Sequence, residues 1–198
     1  MRVVQVLGTN GAGKSTLLRA LVQRDGAPSL HHRDLLGAPG GLFTVLARLH
    51  LVLVGDYVRA NNTPGADRLR SKRHLLEALD HAVELAQAFE AHMVWEGIIL
   101  MTRQYLPEYL ARGLTPLYIV LDVLDETAFE RLALRSGRPR TELKHQGGIV
   151  VARAKSVRRL AEWLAIQRGA EVVWLTSALS PEKMAQCVVE ELAAHDHV

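Results

Sequence analysis

A glycine-rich stretch near the start of the chain constrains the fold more than any other feature. It reads Gly8-Thr9-Asn10-Gly11-Ala12-Gly13-Lys14-Ser15 and fits the pattern G-x-x-x-x-G-K-[ST] of a phosphate-binding loop. The apolar run 2–7 before it predicts a buried strand, and the run 15–22 after it predicts a helix with an apolar face. In such a unit, glycines admit backbone N–H groups close to phosphate oxygens, and the helix N-terminus adds partial positive charge. The stretch therefore predicts a nucleoside triphosphate site.

Individual residues of this stretch have predicted roles. We expect Lys14 to reach the β- and γ-phosphates of ATP, and the Ser15 hydroxyl to ligate Mg²⁺. Thr16 follows directly and carries the loop into the helix. The residues expected to contact the nucleotide are Gly8, Thr9, Asn10, Gly11, Ala12, Gly13, Lys14, Ser15 and Thr16.

The rest of the chain alternates apolar runs with helical patterns. This alternation predicts an α/β fold with a doubly wound, mainly parallel sheet. The later strands are expected over 93–95, 117–121 and 172–175, and the helices over 71–92, 102–112 with an interruption at Pro107, 126–135, 149–167 and 182–194. The apolar runs 42–46 and 49–54 predict a hairpin, whereas the polar residues 31–34 predict an exposed or substrate-side loop. We expect one domain over 1–198, with an acceptor-side insertion over about 28–70 and a lid over about 131–147.

Composition limits the class of protein. A chain of 198 residues with 48% hydrophobic content can bury the core of one α/β domain. No apolar run approaches the roughly 18 residues of a membrane span, and the first strand begins without a preceding signal sequence. Cys187 is the single cysteine, which excludes an internal disulfide and favours a reducing compartment. We therefore expect a cytoplasmic protein. The net charge of +3 suits the handling of phosphates.

Acidic residues follow several predicted strands, where ligands of open α/β sheets bind. Glu96 follows a buried strand, and it is a candidate to hold Mg²⁺ through water or to orient an attacking hydroxyl. Asp56 occupies a similar position, but its strand could be the edge of a hairpin, so a catalytic and a structural role are equally open. Asp67 lies in a long polar loop, where a catalytic role and an ordinary turn aspartate are equally open. Asp122 is expected to help start the next helix together with Asp125.

Arginines cluster at the predicted end of the helix 126–135, namely Arg131, Arg135, Arg138 and Arg140. Arginines can bind the charged oxygens of a transferring phosphoryl group, and a broken helix end suits a lid that closes over a triphosphate. A second basic set, on the helix 149–167, fits either an exposed helix face or a track for a polyanion. Its members are Arg153, Lys155, Arg158 and Arg159.

The order of these parts resembles the nucleoside and nucleotide kinase group of P-loop proteins. The segments Gly8 to Thr16, Val54-Gly55-Asp56-Tyr57 with Pro64-Gly65-Ala66-Asp67, and Trp95-Glu96-Gly97-Ile98-Ile99 more closely resemble the phage kinases that phosphorylate 5-hydroxymethyluracil in DNA. The resemblance implies ATP and Mg²⁺ as cofactors, DNA containing a modified pyrimidine as partner, and the cytoplasm of an infected host. It places Asp67 near the acceptor, Glu96 near Mg²⁺ or the nucleophile, and Arg131 and Arg135 near the nucleotide.

Three functions remain open from the sequence. The first is a kinase acting on a hydroxymethylated base in DNA, with Asp67, Asp56 or Glu96 taking the proton from the acceptor. The second is a kinase acting on a free nucleoside or nucleoside monophosphate, for which the basic helix has no role. The third is an NTP-driven regulatory ATPase, which is less favoured because the chain carries no N-K-x-D or helicase-like motif.

Overall fold

The computed structural model describes residues 1–35, 38–58, 69, 71–97, 100–176 and 178–194. Within these ranges the chain forms strands β1 (Arg2–Leu7), β2 (Ser29–Leu35), β3 (Ala38–Leu46), β4 (Leu51–Val54), β5 (His92–Glu96), β6 (Thr115–Asp122) and β7 (Glu171–Thr176). The helices are α1 (Lys14–Asp25), α2 (Lys72–Ala88), α3 (Tyr105–Ala111), α4 (Asp125–Ser136), α5 (Lys144–Ala165) and α6 (Pro181–Ala193), and a 3-10 helix covers Arg140–Leu143. No helix among the described residues has both the length and the apolar character that crossing a bilayer requires.

All seven strands form one sheet in the order β2-β3-β4-β5-β1-β6-β7. Strands β4, β5, β1, β6 and β7 pair in parallel, whereas β2 pairs with β3, and β3 with β4, in antiparallel fashion. The phosphate-binding loop therefore follows the central strand β1, between β5 and β6. The predicted α/β fold with a mainly parallel sheet is confirmed, and so is the hairpin of β3 and β4.

Helices cover both faces of the sheet, so every residue of β1 is buried and most of them are apolar. Because successive side chains of a strand point to opposite faces, Val3 and Leu7 pack towards α2, α3 and α5. Val4 and Val6 pack on the other face, with α1, α4 and α6. Two aliphatic cores thus hold the central strand, and the loop that follows it begins from a fixed position.

Three expectations need correction. The segment 31–34 belongs to strand β2, because backbone pairing with β3 outweighs its polar composition. Helix α3 is shorter than expected and is not interrupted at Pro107, which lies in its first turn, where a missing N–H breaks no helical hydrogen bond. Asp122 does not cap α4; its carboxylate accepts a hydrogen bond from Arg158 Nη2 at 3.2 Å, and no side chain caps that helix.

Candidate active site

The loop of residues 8–15, here called the phosphate loop, turns sharply between β1 and α1. Gly11 and Gly13 have positive φ angles of 80° and 98°, a region in which a side chain is strained. The Thr9 carbonyl accepts a hydrogen bond from Ala12 N at 3.2 Å, and the Thr9 hydroxyl donates to the Val150 carbonyl of α5 at 2.9 Å. The loop is therefore tied to itself and to α5, and it ends at the positively polarised N-terminus of α1.

Lys14 is the first residue of α1, and its side chain curls back over the loop. Its Nζ atom donates to the carbonyls of Gly8 at 2.9 Å and Thr9 at 3.2 Å. The side chain is largely buried yet lines the cavity in front of the loop. This position keeps the ammonium group beside the place where a phosphate would contact the loop.

Ser15 and Glu96 meet across this cavity. The Ser15 hydroxyl donates to Glu96 Oε1 at 2.8 Å, although the two residues are 81 positions apart in the chain. Parallel pairing of β5 with β1 brings the last residue of β5 beside the phosphate loop. The side chains offer a hydroxyl and a carboxylate, which are the hard oxygen donors that Mg²⁺ prefers. Ser15 and Glu96 would therefore be the residues to hold a magnesium ion, which would neutralise charge on a bound phosphate chain.

Asp56 lies just after β4 and is fully buried. Its Oδ1 atom accepts a hydrogen bond from Val58 N at 3.1 Å, and Asp56 does not appear among the described residues that line the cavity. The neighbouring Tyr57 does contact a residue of the cavity, because its phenol donates to Glu96 Oε1 at 3.3 Å. Asp67 lies outside the described residues.

Helix α4 brings two arginines to the cavity, one helical turn apart. A Cβ atom added at Gly11 would lie 2.2 Å from the Ala128 carbonyl, so the loop and α4 touch through their backbones. Arg131 Nη1 lies 3.8 Å from the corresponding position at Gly13. Both Arg131 and Arg135 are exposed and line the cavity. Two guanidinium groups thus face the phosphate loop.

The cavity has a volume of about 540 Å³. Its polar end is formed by the phosphate loop and Glu96, and the other wall is apolar. That wall consists of Leu132 on α4, with Leu179, Pro181 and Met184 at the start of α6. A polar end with a guanidinium pair beside it, opposite an apolar wall, suits a ligand that joins a phosphate chain to a flat apolar ring.

The structure thus gathers Lys14, Ser15, Glu96, Arg131 and Arg135 around one cavity. Sequence patterns overlooked Tyr57 as a site residue, and they also overlooked the apolar wall at the start of α6. The position of Tyr57 directly after Asp56 at a strand end was the available signal. No motif marks the apolar wall, because its members come together only through the packing of α4 and α6 near the loop.

No protein-family model and no curated protein matches the chain. Among solved structures, it is similar to a sugar kinase from Janibacter sp. HTCC2649, with 17% identity over 98% of this chain and 95% of that chain and a TM-score of 0.46. It is also similar to deoxyadenosine kinase from M. mycoides with bound dCTP, with 13% identity over 97% of this chain and 99% of that chain and a TM-score of 0.47. The strand order and the helices on both faces show an α/β fold in which the phosphate loop follows the central strand.

Proposed function

We propose that this chain is an ATP- and Mg²⁺-dependent kinase that transfers the γ-phosphoryl group to an alcohol. The observation that carries this proposal is the 2.8 Å hydrogen bond from Ser15 to Glu96 beside the phosphate loop. A serine that donates its proton to a carboxylate keeps its lone pairs available for a cation. The pair therefore has the composition and the position of a magnesium site on a bound triphosphate.

Three cationic side chains support phosphoryl transfer at this site. Phosphoryl transfer spreads negative charge over the equatorial oxygens, and fixed positive groups lower its barrier. Lys14 belongs to the phosphate loop, while Arg131 and Arg135 face the loop from α4. A bound Mg²⁺ would supply further charge neutralisation at the β- and γ-phosphates. The apolar wall is the place for the nucleoside end of ATP.

The chemical step needs a group that accepts a proton. The acceptor oxygen forms a bond to the γ-phosphorus, the bond from that phosphorus to the β–γ bridging oxygen breaks, and its electron pair leaves with ADP. The acceptor's proton passes to a carboxylate. Candidates are Asp56 at the end of β4, Glu96 at the end of β5, and Asp67. Of these, Glu96 lines the cavity and already accepts hydrogen bonds from Ser15 and Tyr57, whereas Asp56 is fully buried and is not among the described residues that line the cavity.

For the acceptor, we propose the hydroxymethyl group of 5-hydroxymethyluracil in phage DNA. The support is the resemblance carried by residues 8–16, 54–57 with 64–67, and 95–99. Lys155 and Arg159, exposed on α5, offer positive charge to a nucleic-acid backbone. A base within a duplex cannot reach a recessed site, so the reaction would require the base to flip out. The product would be a phosphorylated base that a later DNA-modifying reaction can use.

The direct test supplies γ-labelled ATP and Mg²⁺ with matched DNA duplexes. One duplex carries 5-hydroxymethyluracil at a single position, and its control carries thymine there. Label in the first duplex alone, lost in the Lys14→Ala variant, is the expected result. Label transferred only to free 5-hydroxymethyldeoxyuridine or its monophosphate would refute the DNA acceptor and retain the kinase.

One observation favours a kinase of free nucleosides or nucleotides as a second candidate. Arg158, a member of the basic set on α5, is engaged by Asp122 at 3.2 Å and so contributes less to a surface for polyanions. Salt dependence separates the two candidates, because binding of a DNA backbone weakens steeply as salt rises. Saturation by a free nucleotide with little salt dependence would support the second candidate. ATP hydrolysis that no alcohol accelerates would instead indicate a regulatory ATPase.

A further inference from the structure

A line of hydrogen bonds runs from the antiparallel part of the sheet to the phosphate loop. The Thr44 hydroxyl, on β3, donates to the Gly55 carbonyl at 2.8 Å and accepts from Tyr57 N at 3.4 Å. The Tyr57 phenol in turn donates to Glu96 Oε1 at 3.3 Å, and Ser15 donates to the same oxygen. Residues of β3, the segment after β4, β5 and α1 are connected in this way, with Thr44 linked to the main chain of Tyr57 and the Tyr57 phenol linked to Glu96.

The middle of this line is closed off from water. Thr44 is fully buried, and Tyr57 and Glu96 are each 2% exposed. Water therefore has little opportunity to replace a hydrogen bond that is lost here, and an ionised carboxylate depends on the protein groups around it. The orientation of Glu96 thus depends on the donors that hold Oε1.

We propose that Tyr57 is a positioning residue that holds the Glu96 carboxylate against Ser15, and that Thr44 positions Tyr57. The antiparallel hairpin of β3 and β4 then controls how well the site binds magnesium. This inference rests on the proposed kinase function and concerns the same site. Tyr57 acts through Glu96, and it need not touch the nucleotide.

The geometry explains why the phenol matters for a cation. With Tyr57 and Ser15 both directed at Oε1, rotation of the carboxylate would break two hydrogen bonds together. Without the phenol, one of these two hydrogen bonds is lost, so the carboxylate resists rotation less and the Ser15 hydroxyl has a less firmly held acceptor. Both oxygen donors of the magnesium site then become less ordered, which weakens binding because ordering must be recovered on each binding event.

The test uses the full chain with the Tyr57→Phe substitution, which changes no charge. Lys14, Arg131 and Arg135 line the same cavity and stay in place, so the electrostatic field of the site is preserved. Tyr118→Phe is the matched control, because Tyr118 is an equally buried tyrosine on the opposite face of the sheet. Thermal unfolding of each variant establishes that it is folded.

The principal measurement is calorimetric titration of Mg²⁺ into each protein saturated with ADP. We expect Tyr57→Phe to weaken Mg²⁺ binding by about tenfold, the loss of roughly one hydrogen bond to a charged group, and Tyr118→Phe to leave it unchanged. ADP affinity without Mg²⁺ should be the same in all three proteins. Unchanged Mg²⁺ affinity in a folded Tyr57→Phe variant would overturn the proposal.

A double-mutant cycle tests whether Tyr57 acts through Glu96. In a Glu96→Gln background, Tyr57→Phe should cause less than a twofold further loss of Mg²⁺ affinity. A further tenfold loss in that background would contradict the proposed route. Thr44→Val should weaken Mg²⁺ binding in the same direction but less, by about threefold, and it provides a second variant should Tyr57→Phe fail to fold.

Steady-state kinetics complete the test. With Mg²⁺ limiting, Tyr57→Phe should lower kcat at an unchanged KM for ATP, and excess Mg²⁺ should restore most of the rate. A variant that merely loosened the core would not recover in this way, and that result would also overturn the proposal. If the wild-type protein binds Mg²⁺ and ADP but phosphorylates no alcohol, the proposed function fails while the calorimetric result still decides the role of Tyr57.

Discussion

Two neighbouring residues of β5, Trp95 and Glu96, begin two buried polar networks with different properties. Their side chains point to opposite faces of the sheet because they alternate along the strand. Glu96 accepts hydrogen bonds from Ser15 and Tyr57 and opens onto the cavity. Trp95 belongs to a network within the core on the other face, and it is not among the described residues that line the cavity.

The network that begins at Trp95, here called the core network, is formed by buried residues of the protein. Trp95 Nε1 donates to the Tyr109 hydroxyl at 3.0 Å, Tyr109 donates to Gln5 Oε1 at 2.6 Å, and Gln5 Nε2 donates to the Leu100 carbonyl at 2.7 Å. Burial raises the pKa of Tyr109 well above its usual range, so its hydroxyl keeps its proton and remains a donor. No member carries a charge. This network fastens α3 and the chain after β5 to the central strand.

The comparison distinguishes a polar network that stabilises the fold from one that is arranged for a ligand. In the core network, each hydrogen bond joins neutral protein groups and needs nothing from outside. The network at Glu96 holds a carboxylate, and Lys14 and two arginines line the cavity that it faces. A buried charge of this kind contributes little to stability and is retained where it binds or reacts. Substitutions in the two networks should therefore affect different measurements.

The largest effect is expected for Lys14→Ala. Loss of the ammonium group beside the phosphates should lower kcat/KM for phosphoryl transfer by about 10³-fold. The free energy of unfolding should fall by no more than about 1–3 kcal/mol, because the Lys14 hydrogen bonds to the buried Gly8 and Thr9 carbonyls are lost. Steady-state kinetics and urea unfolding measure the two quantities, with Lys72→Ala on the surface of α2 as the control. A loss below tenfold would contradict the proposed role.

Glu96→Gln should lower kcat by about 10²-fold, because the neutral amide interacts more weakly with Mg²⁺. Binding of ATP, followed by calorimetry, should remain within a few fold of wild type. Glu162→Gln, on the exposed face of α5, removes the same charge at a distance and should leave the rate unchanged. A fully active Glu96→Gln variant would assign this carboxylate to structure alone.

Tyr109→Phe should lower stability and largely preserve the rate, the reverse of the pattern expected for Glu96→Gln. Removing the hydroxyl leaves Trp95 Nε1 and Gln5 Oε1 without their partner, which we expect to lower the free energy of unfolding by about 1–3 kcal/mol. The rate of phosphoryl transfer at a temperature where the variant is folded should stay within about threefold. Urea unfolding and kinetics on one preparation provide both values. A large loss of rate in a stable variant would remove the distinction between the networks.

The smallest effect is expected at Glu108, beside Tyr109 on the outer side of α3. Hydrogen bonds from Arg112 and Lys72 hold the pKa of Glu108 below its usual value of 4.5. Because the folded state favours the ionised form, this contribution to stability is complete above pH 4.5 and is lost as the pH falls through the lowered pKa. Glu108→Gln should therefore destabilise by about 0.5 kcal/mol or less at pH 7. Urea unfolding should show this difference disappearing in acid.

The sequence contains enough information to predict the phosphate loop and the parallel strands. Both are local patterns: a glycine spacing followed by a lysine, and apolar runs flanked by turn residues. It does not reveal β2, whose backbone pairs with β3 despite polar residues such as His31. A strand formed through main-chain hydrogen bonds at a sheet edge leaves only a weak trace in composition.

Long-range contacts explain most of what the sequence could not predict at the site. Glu96 could be proposed because it ends a buried strand, yet its hydrogen bond with Ser15 depends on strand order. Tyr57 and Thr44 carry no motif, and their link to Glu96 arises from the pairing of β3, β4 and β5. Asp122 fits the signal of a helix start, but its carboxylate pairs with Arg158, which is distant in the chain, and no side chain caps α4.

The contact between Gly11 and Ala128 has a consequence for how the triphosphate is held. The Gly11 backbone lies against the Ala128 carbonyl of α4, so a methyl group added at Gly11 would clash with that carbonyl. We expect Gly11→Ala to force the loop and α4 apart and so to move Arg131 and Arg135 away from the phosphate loop together. The spacing between the phosphate loop and the two arginines of α4 therefore depends on residue 11 having only a hydrogen atom as its side chain.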